Sequence, residues 1–230
     1  MTDLSFPPKR AVAAIGDSHA LYSFGYCRQV DVYWLGPRLM HRVARDGLRS
    51  LITNEELGFY GEKYLSEHTA ILLSFGEIDA RSHLPKIAVR FGQTLEAAAL
   101  DLVERFMARM ESQALFDWRQ VIIPGVVPPS GLYLGAGEIA DQIVIRSVIN
   151  ERLAHHGGRL GYRYMPPPSV LTGEGGALAG RFDLDGVHVN YDGARLMTER
   201  MAEIAGVSPS FEPREIDILQ QTVANRFGLN

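Results

Sequence analysis

The feature that most limits the fold is an alternation. Five short apolar runs are separated by longer segments whose apolar residues recur at helical spacing. The runs are 11–15 (AVAAI), 31–35 (DVYWL), 70–75 (AILLSF), 120–124 (QVIIP) and 161–165 (GYRYM), bounded by Gly or Pro on at least one side. Runs this short and apolar suit strands covered on both faces, and the helical segments supply the cover, so the pattern predicts parallel βαβ units. In 94–112, Leu95, Ala99, Leu102, Phe106 and Met110 form one stripe. In 138–156, Ile139, Ile143, Val148, Ile149 and Leu153 form a second, with a stop expected at Gly157-Gly158 and His155 and His156 in the last turn. In 192–205, Ala194, Met197, Met201 and Ile204 form a third, ended by Gly206. An amphipathic segment at roughly 214–226 is expected to pack on the outside, within a helical extension over 207–230.

The expected architecture is one α/β domain over 1–230, a flavodoxin-like three-layer αβα sandwich with a parallel five-stranded sheet. A hydrophobic content of 46% is ample for a single core. The Pro-rich stretches 124–129 and 166–168 follow the fourth and fifth runs and read as loops. A formal net charge of −4 argues against nucleic acid as partner. The single cysteine, Cys27, excludes an internal disulfide and reads as a half-buried structural thiol. The first residues lack the apolar core of a signal sequence, and no apolar run approaches the roughly 20 residues of a membrane span. A cytoplasmic protein with neither membrane nor nucleic-acid partner is therefore expected. No cofactor is expected either. Gly135-Ala136-Gly137-Glu138-Ile139-Ala140 fits a dinucleotide fingerprint in spacing, but it follows a loop and reads as a helix N-terminus.

In such sheets ligands bind beyond the carboxyl ends of the strands. Three stretches point there: Gly16-Asp17-Ser18-His19 after the first run, Gly76-Glu77-Ile78-Asp79 after the third, and Asp185-Gly186-Val187-His188 before the last helix. Together they offer a serine, a histidine and a carboxylate, the minimum for acyl transfer. The spacing of Asp185 and His188 lets one loop hold the carboxylate against one imidazole nitrogen while the other faces Ser18, with Asp183 a rival carboxylate. The plainer alternative makes Asp17 and Asp185 helix caps or turn residues and His188 a surface side chain. A metal site from Asp17, His19, Asp183, Asp185 and His188 is chemically conceivable, but no paired-histidine helical pattern occurs, and the triad uses the same residues more economically. His19 reads as a first-turn helix residue. Tyr33, Trp34, Phe59 and Tyr60 could line a substrate groove or belong to the core.

The Gly16-Asp17-Ser18 turn and the run Asp185-Gly186-Val187-His188-Val189-Asn190-Tyr191-Asp192-Gly193 resemble blocks of the SGNH (GDSL-like) hydrolase superfamily. The resemblance spans residues 11 to about 205. It implies Ser18, Asp185 and His188 as the triad and the Gly36 N–H as an oxyanion donor beside that of Ser18. The superfamily's third block carries an asparagine that also donates to the oxyanion, and Ile78 stands in its place here. Arg81 or His83, on the same loop, are the replacement donors the resemblance suggests; Arg81 and Glu77 could instead form an ion pair that shapes the loop. The GEIDxRxH block looks like that of a bacterial subgroup associated with glycan modification. The expectation is thus a serine esterase acting on short acyl esters of a small molecule or glycan, with O-acetyl groups on a carbohydrate the substrate the resemblance implies. Alternatives are an acyltransferase, a non-hydrolytic glycan-binding or interaction module, and a metal-dependent phosphoesterase.

Overall fold

The computed structural model describes residues 11–37, 39–52, 68–132 and 135–211. Strands β1 (Val12–Gly16), β2 (Val30–Trp34), β3 (Ala70–Ser74), β4 (Val121–Pro124) and β5 (Arg163–Met165) form one sheet in the order β2-β1-β3-β4-β5. Every pairing is parallel. Each strand lies within two residues of its expected bounds, and the order is that of a flavodoxin-like sheet.

Helices cover both faces. Strand residues alternate between them: Ala13 and Ile15 enter one core, and Val12 and Ala14 the other. The first core is closed by α2 (Met40–Asp46), α3 (Leu48–Ile52), α4 (Leu84–Phe91), α5 (Leu95–Gln113) and α6 (Ile139–Leu160). The second is closed by α1 (Ser18–Phe24) and α7 (Tyr191–Ala205). In α5 the expected stripe is buried apart from Leu95, which packs at its margin, and Thr94 caps the helix through Ala97 N–H at 3.1 Å. In α7 Asn190 caps the first turn and left-handed Gly206 ends the last.

Two expectations about α6 are corrected. The helix does not stop at Gly157-Gly158 but continues to Leu160, with left-handed Gly161 as its cap. Gly157 is kept by packing: a Cβ there would approach Tyr162 at 3.2 Å, and the Tyr162 hydroxyl donates to Leu153 O. His156 is consequently not a terminal residue; it is buried and bonds Glu104 at 3.0 Å. The buried face is also rotated from the expected one, with Gln142, Ile145, Arg146, Ile149 and Leu153 inside while Ile143 and Val148 are only half-buried.

The Gly135–Ala140 stretch does start a helix, closed by reciprocal bonds between Glu138 and Asp141. Cys27 is buried and donates to Gln29 Oε1 at 3.2 Å. Residues 207–211 carry no helix, and Phe211 bridges Cys27; the segment expected at 214–226 lies outside the described residues, as do Phe59 and Tyr60. Tyr33 belongs to the core. Among the described residues no helix is long and apolar enough to cross a membrane.

Candidate active site at the carboxyl edge of the sheet

The site begins where β1 ends. Asp17 Oδ1 accepts the His19 N–H at 2.8 Å, capping α1 and making Ser18 its first residue. The φ of Gly16 is not positive; a Cβ would lie 2.0 Å from Ser74 O, so close approach to β3 requires the glycine. First-turn amides have no acceptor within their own helix, which leaves the Ser18 N–H unused by α1.

The second contribution comes from the loop that enters α7. Asp185 Oδ1 accepts the N–H groups of Val187 at 3.0 Å and His188 at 2.8 Å, folding the loop around its own carboxylate. Gly186, at φ +84°, takes the left-handed turn and donates its N–H to Asp183 Oδ1 at 2.7 Å. Ser130 Oγ donates to the other oxygen of Asp183. The rival carboxylate thus braces the loop from behind. Beyond it, Asn190 Oδ1 accepts from Gly193 N at 3.1 Å, and a Cβ on Gly193 would come within 2.9 Å of Val189, which explains the Asn-x-x-Gly spacing.

These loops bring Ser18, His188 and Asp185 together. Ser18 Oγ lies 2.9 Å from His188 Nε2, and His188 Nδ1 lies 2.8 Å from Asp185 Oδ2. The hydroxyl donates to one ring nitrogen and the other donates to the carboxylate, the polarity a serine nucleophile needs. Tyr22, one turn beyond Ser18, stacks on the His188 ring at 4.1 Å and 25°. Burial and the nearby His19 lower the His188 pKa from its usual value, with Asp185 acting against them. Burial disfavours charge on Asp185, but its bonds to His188 and to the backbone outweigh that and hold its carboxyl below the usual range.

Glu77, Arg81 and His83 stand apart from that hydrogen-bond chain. Glu77 Oε1 accepts from Arg81 Nε at 2.9 Å and from Arg146 Nη2 at 3.2 Å, a buried network in which Arg146 also bonds Gln142. Burial opposes the Glu77 charge, yet His19, Arg146 and Arg81 together keep its carboxyl below the usual range. His83 stacks with His41 at 6.1 Å. Gly36, at φ +74°, follows the end of β2, where the Leu35 N–H bonds Gly16 O at 2.8 Å; it therefore sits beside the Ser18 turn at the same edge. Among the described residues a Cβ on Gly36 would meet nothing within 4 Å, so its positive φ is what favours glycine.

Sequence reasoning missed three contributors. Asp79 is fully buried and accepts from Met40 N at 2.6 Å and His41 N at 3.2 Å, capping α2 from another strand's loop. Burial pushes its pKa up to about 7 against those amide bonds. Arg146 had a legible signal, a polar i,i+4 pair with Gln142 inside an apolar helix face. The Tyr22 stack had none beyond its spacing of four from Ser18.

No protein-family model and no curated protein sequence matches the chain. Among solved structures it is similar to the lipase Lip_vut3 from a goat rumen metagenome, at 13% identity over 84% of this chain and 96% of that one, TM-score 0.57. It is also similar to a GDSL-like lipase from Bacteroides thetaiotaomicron, at 14% identity over 86% and 88%, TM-score 0.50. The chain has the fold of the GDSL-like (SGNH) hydrolases.

Proposed function

We propose that this protein is a serine esterase with Ser18 as nucleophile, His188 as general base and Asp185 as the carboxylate that orients and supports the imidazole. The carrying observation is the continuous hydrogen-bond chain from Ser18 through His188 to Asp185, assembled from residues 170 positions apart. In this reading His188 takes the Ser18 proton as Oγ attacks the ester carbonyl, then returns it to the leaving alcohol. Water, activated by the same imidazole, releases the acid from the acyl-enzyme. The developing oxyanion faces the N–H groups of Ser18 and Gly36. The Ile78 side chain has no donor and the Arg81 Nε is engaged by Glu77, so this reading relies on the two backbone amides.

The substrate proposed is a short acyl ester, with O-acetyl groups on a carbohydrate favoured by the GEIDxRxH block. The solved lipases with this fold are consistent with an acyl ester in general. Transfer to a sugar hydroxyl in place of water would need no different residues. Hydrolysis of p-nitrophenyl acetate by wild type and Ser18→Ala tests the reading. A loss of at least ~10³-fold is expected; equal trace rates would refute it and favour a non-hydrolytic glycan-binding module, the reading that the side chain of Ile78 supports.

A further inference from the structure

We infer that His19 is a positioning residue held as a buried imidazolium, which braces the Asp185–His188 loop through Val187 and keeps His188 neutral for Ser18. Both ring nitrogens of His19 face acceptors. Nε2 lies 3.1 Å from Val187 O, and a carbonyl can only accept, so this nitrogen carries hydrogen. Nδ1 faces Asp17 Oδ1 at 3.7 Å and Glu77 Oε2 at 3.9 Å. A bare lone pair there would confront two carboxylates, whereas an N–H would be attracted by both. Asp17 Oδ2, His19 Nδ1 and Glu77 Oε2 are all buried, with no hydrogen-bond partner among the described residues. These three residues line a cavity of about 20 Å³ that is large enough for one bridging water molecule.

The surrounding charges agree. Asp17 from the β1–α1 turn and Glu77 from the β3 loop face His19, with Arg81 and Arg146 bound to Glu77 from behind. His188 and its partner Asp185 approach from the α7 entry loop, and Tyr22 stacks on the far ring, His188. Among the described residues Asp17 forms no ion pair other than the one with His19, so an imidazolium there answers a carboxylate otherwise unpaired. Burial opposes a charge on His19, but Glu77 and Asp17 outweigh it and raise its pKa. The two rings are 4.9 Å apart, so a proton on one disfavours a proton on the other. His19, with acceptors on both sides, takes it; His188, which must accept from Ser18, does not.

The role given to His188 rests on the proposed esterase reading, but the protonation states can be measured without turnover. Imidazole ¹⁵N NMR on the full chain would compare wild type, His19→Gln and, for assignment, His188→Gln. Glutamine can still donate to Val187 O but carries no charge. Near neutral pH, one ring with both nitrogens protonated is expected, lost in His19→Gln. The His188 titration should move to higher pH in that variant, by at least ~0.5 pH unit. A singly protonated His19 ring, or an unmoved His188 titration, would overturn the inference. In His19→Leu, which also loses the Val187 bond, kcat should fall at least ~10-fold with KM unchanged, and His19→Gln should recover part of it. Absence of any Ser18-dependent esterase rate would count against the proposed function alone, since the NMR result stands independently.

Discussion

Two neighbouring parts of one sheet edge are built on opposite terms. The Ser18 and Asp185–His188 loops remain partly open to solvent, with the Asp185 side chain 44% exposed, and are joined by single hydrogen bonds along a line. The Gly76–Asp79 block after the adjoining strand is closed: the Glu77 side chain is 5% exposed, Asp79 is fully buried, and both are tied into ion pairs or backbone amides. In the proposed esterase the difference separates chemistry from scaffold. A nucleophile and its base must stay accessible to substrate, whereas a buried charge persists only where partners surround it.

Substitutions should divide accordingly. The largest effect is expected for Asp185→Asn, which lowers kcat by about 10²–10⁴-fold while leaving the unfolding midpoint nearly unchanged; steady-state kinetics beside thermal unfolding would check it. Glu77→Gln should act chiefly on stability, with any rate effect passing through His19. It leaves buried Arg146 without its carboxylate and should cost about 3 kcal/mol of stability in denaturant titrations. A rate loss without a stability loss would erase the distinction between the two blocks.

The third variant is Asp79→Asn, and its readout is pH. With a folded pKa raised from 3.8 to about 7 by burial, Asp79 keeps a proton that the unfolded chain releases. Its contribution to stability is therefore full below pH 3.8 and is lost as pH rises through about 7. That decline amounts to at most ~1.4 kcal/mol per pH unit, and the asparagine variant should flatten it in denaturation curves taken across that range. The smallest effect concerns the missing donor. Ile78→Asn should raise kcat by about 10-fold if its amide reaches the oxyanion. No change would leave the backbone amides as the whole of that site.

The sheet was legible because its strands are covered on both faces: AVAAI and AILLSF have to be buried, and helical periods between them permit few topologies. The meeting of Ser18, His188 and Asp185 was legible because Ser18 and the Asp185–His188 pair sit immediately beside predicted element boundaries. The interior charges were less so. Arg146 lies on a helix whose buried face is rotated from the one its isoleucines suggest, and its partner Glu77 is 69 residues away. Gly157-Gly158 misled because glycine normally ends a helix, yet here tight packing on Tyr162 carries α6 past it. Long-range pairing and packing of this kind leave only weak traces in local pattern.

The central claim is that Ser18 is made nucleophilic by His188 and Asp185. Labelling of the folded protein with a fluorophosphonate, followed by mass-spectrometric mapping of the modified residue, tests it most directly. One adduct is expected, on Ser18, that disappears in Ser18→Ala and is strongly slowed in His188→Gln. Labelling at another residue, or a folded wild type that takes up no probe, would contradict it.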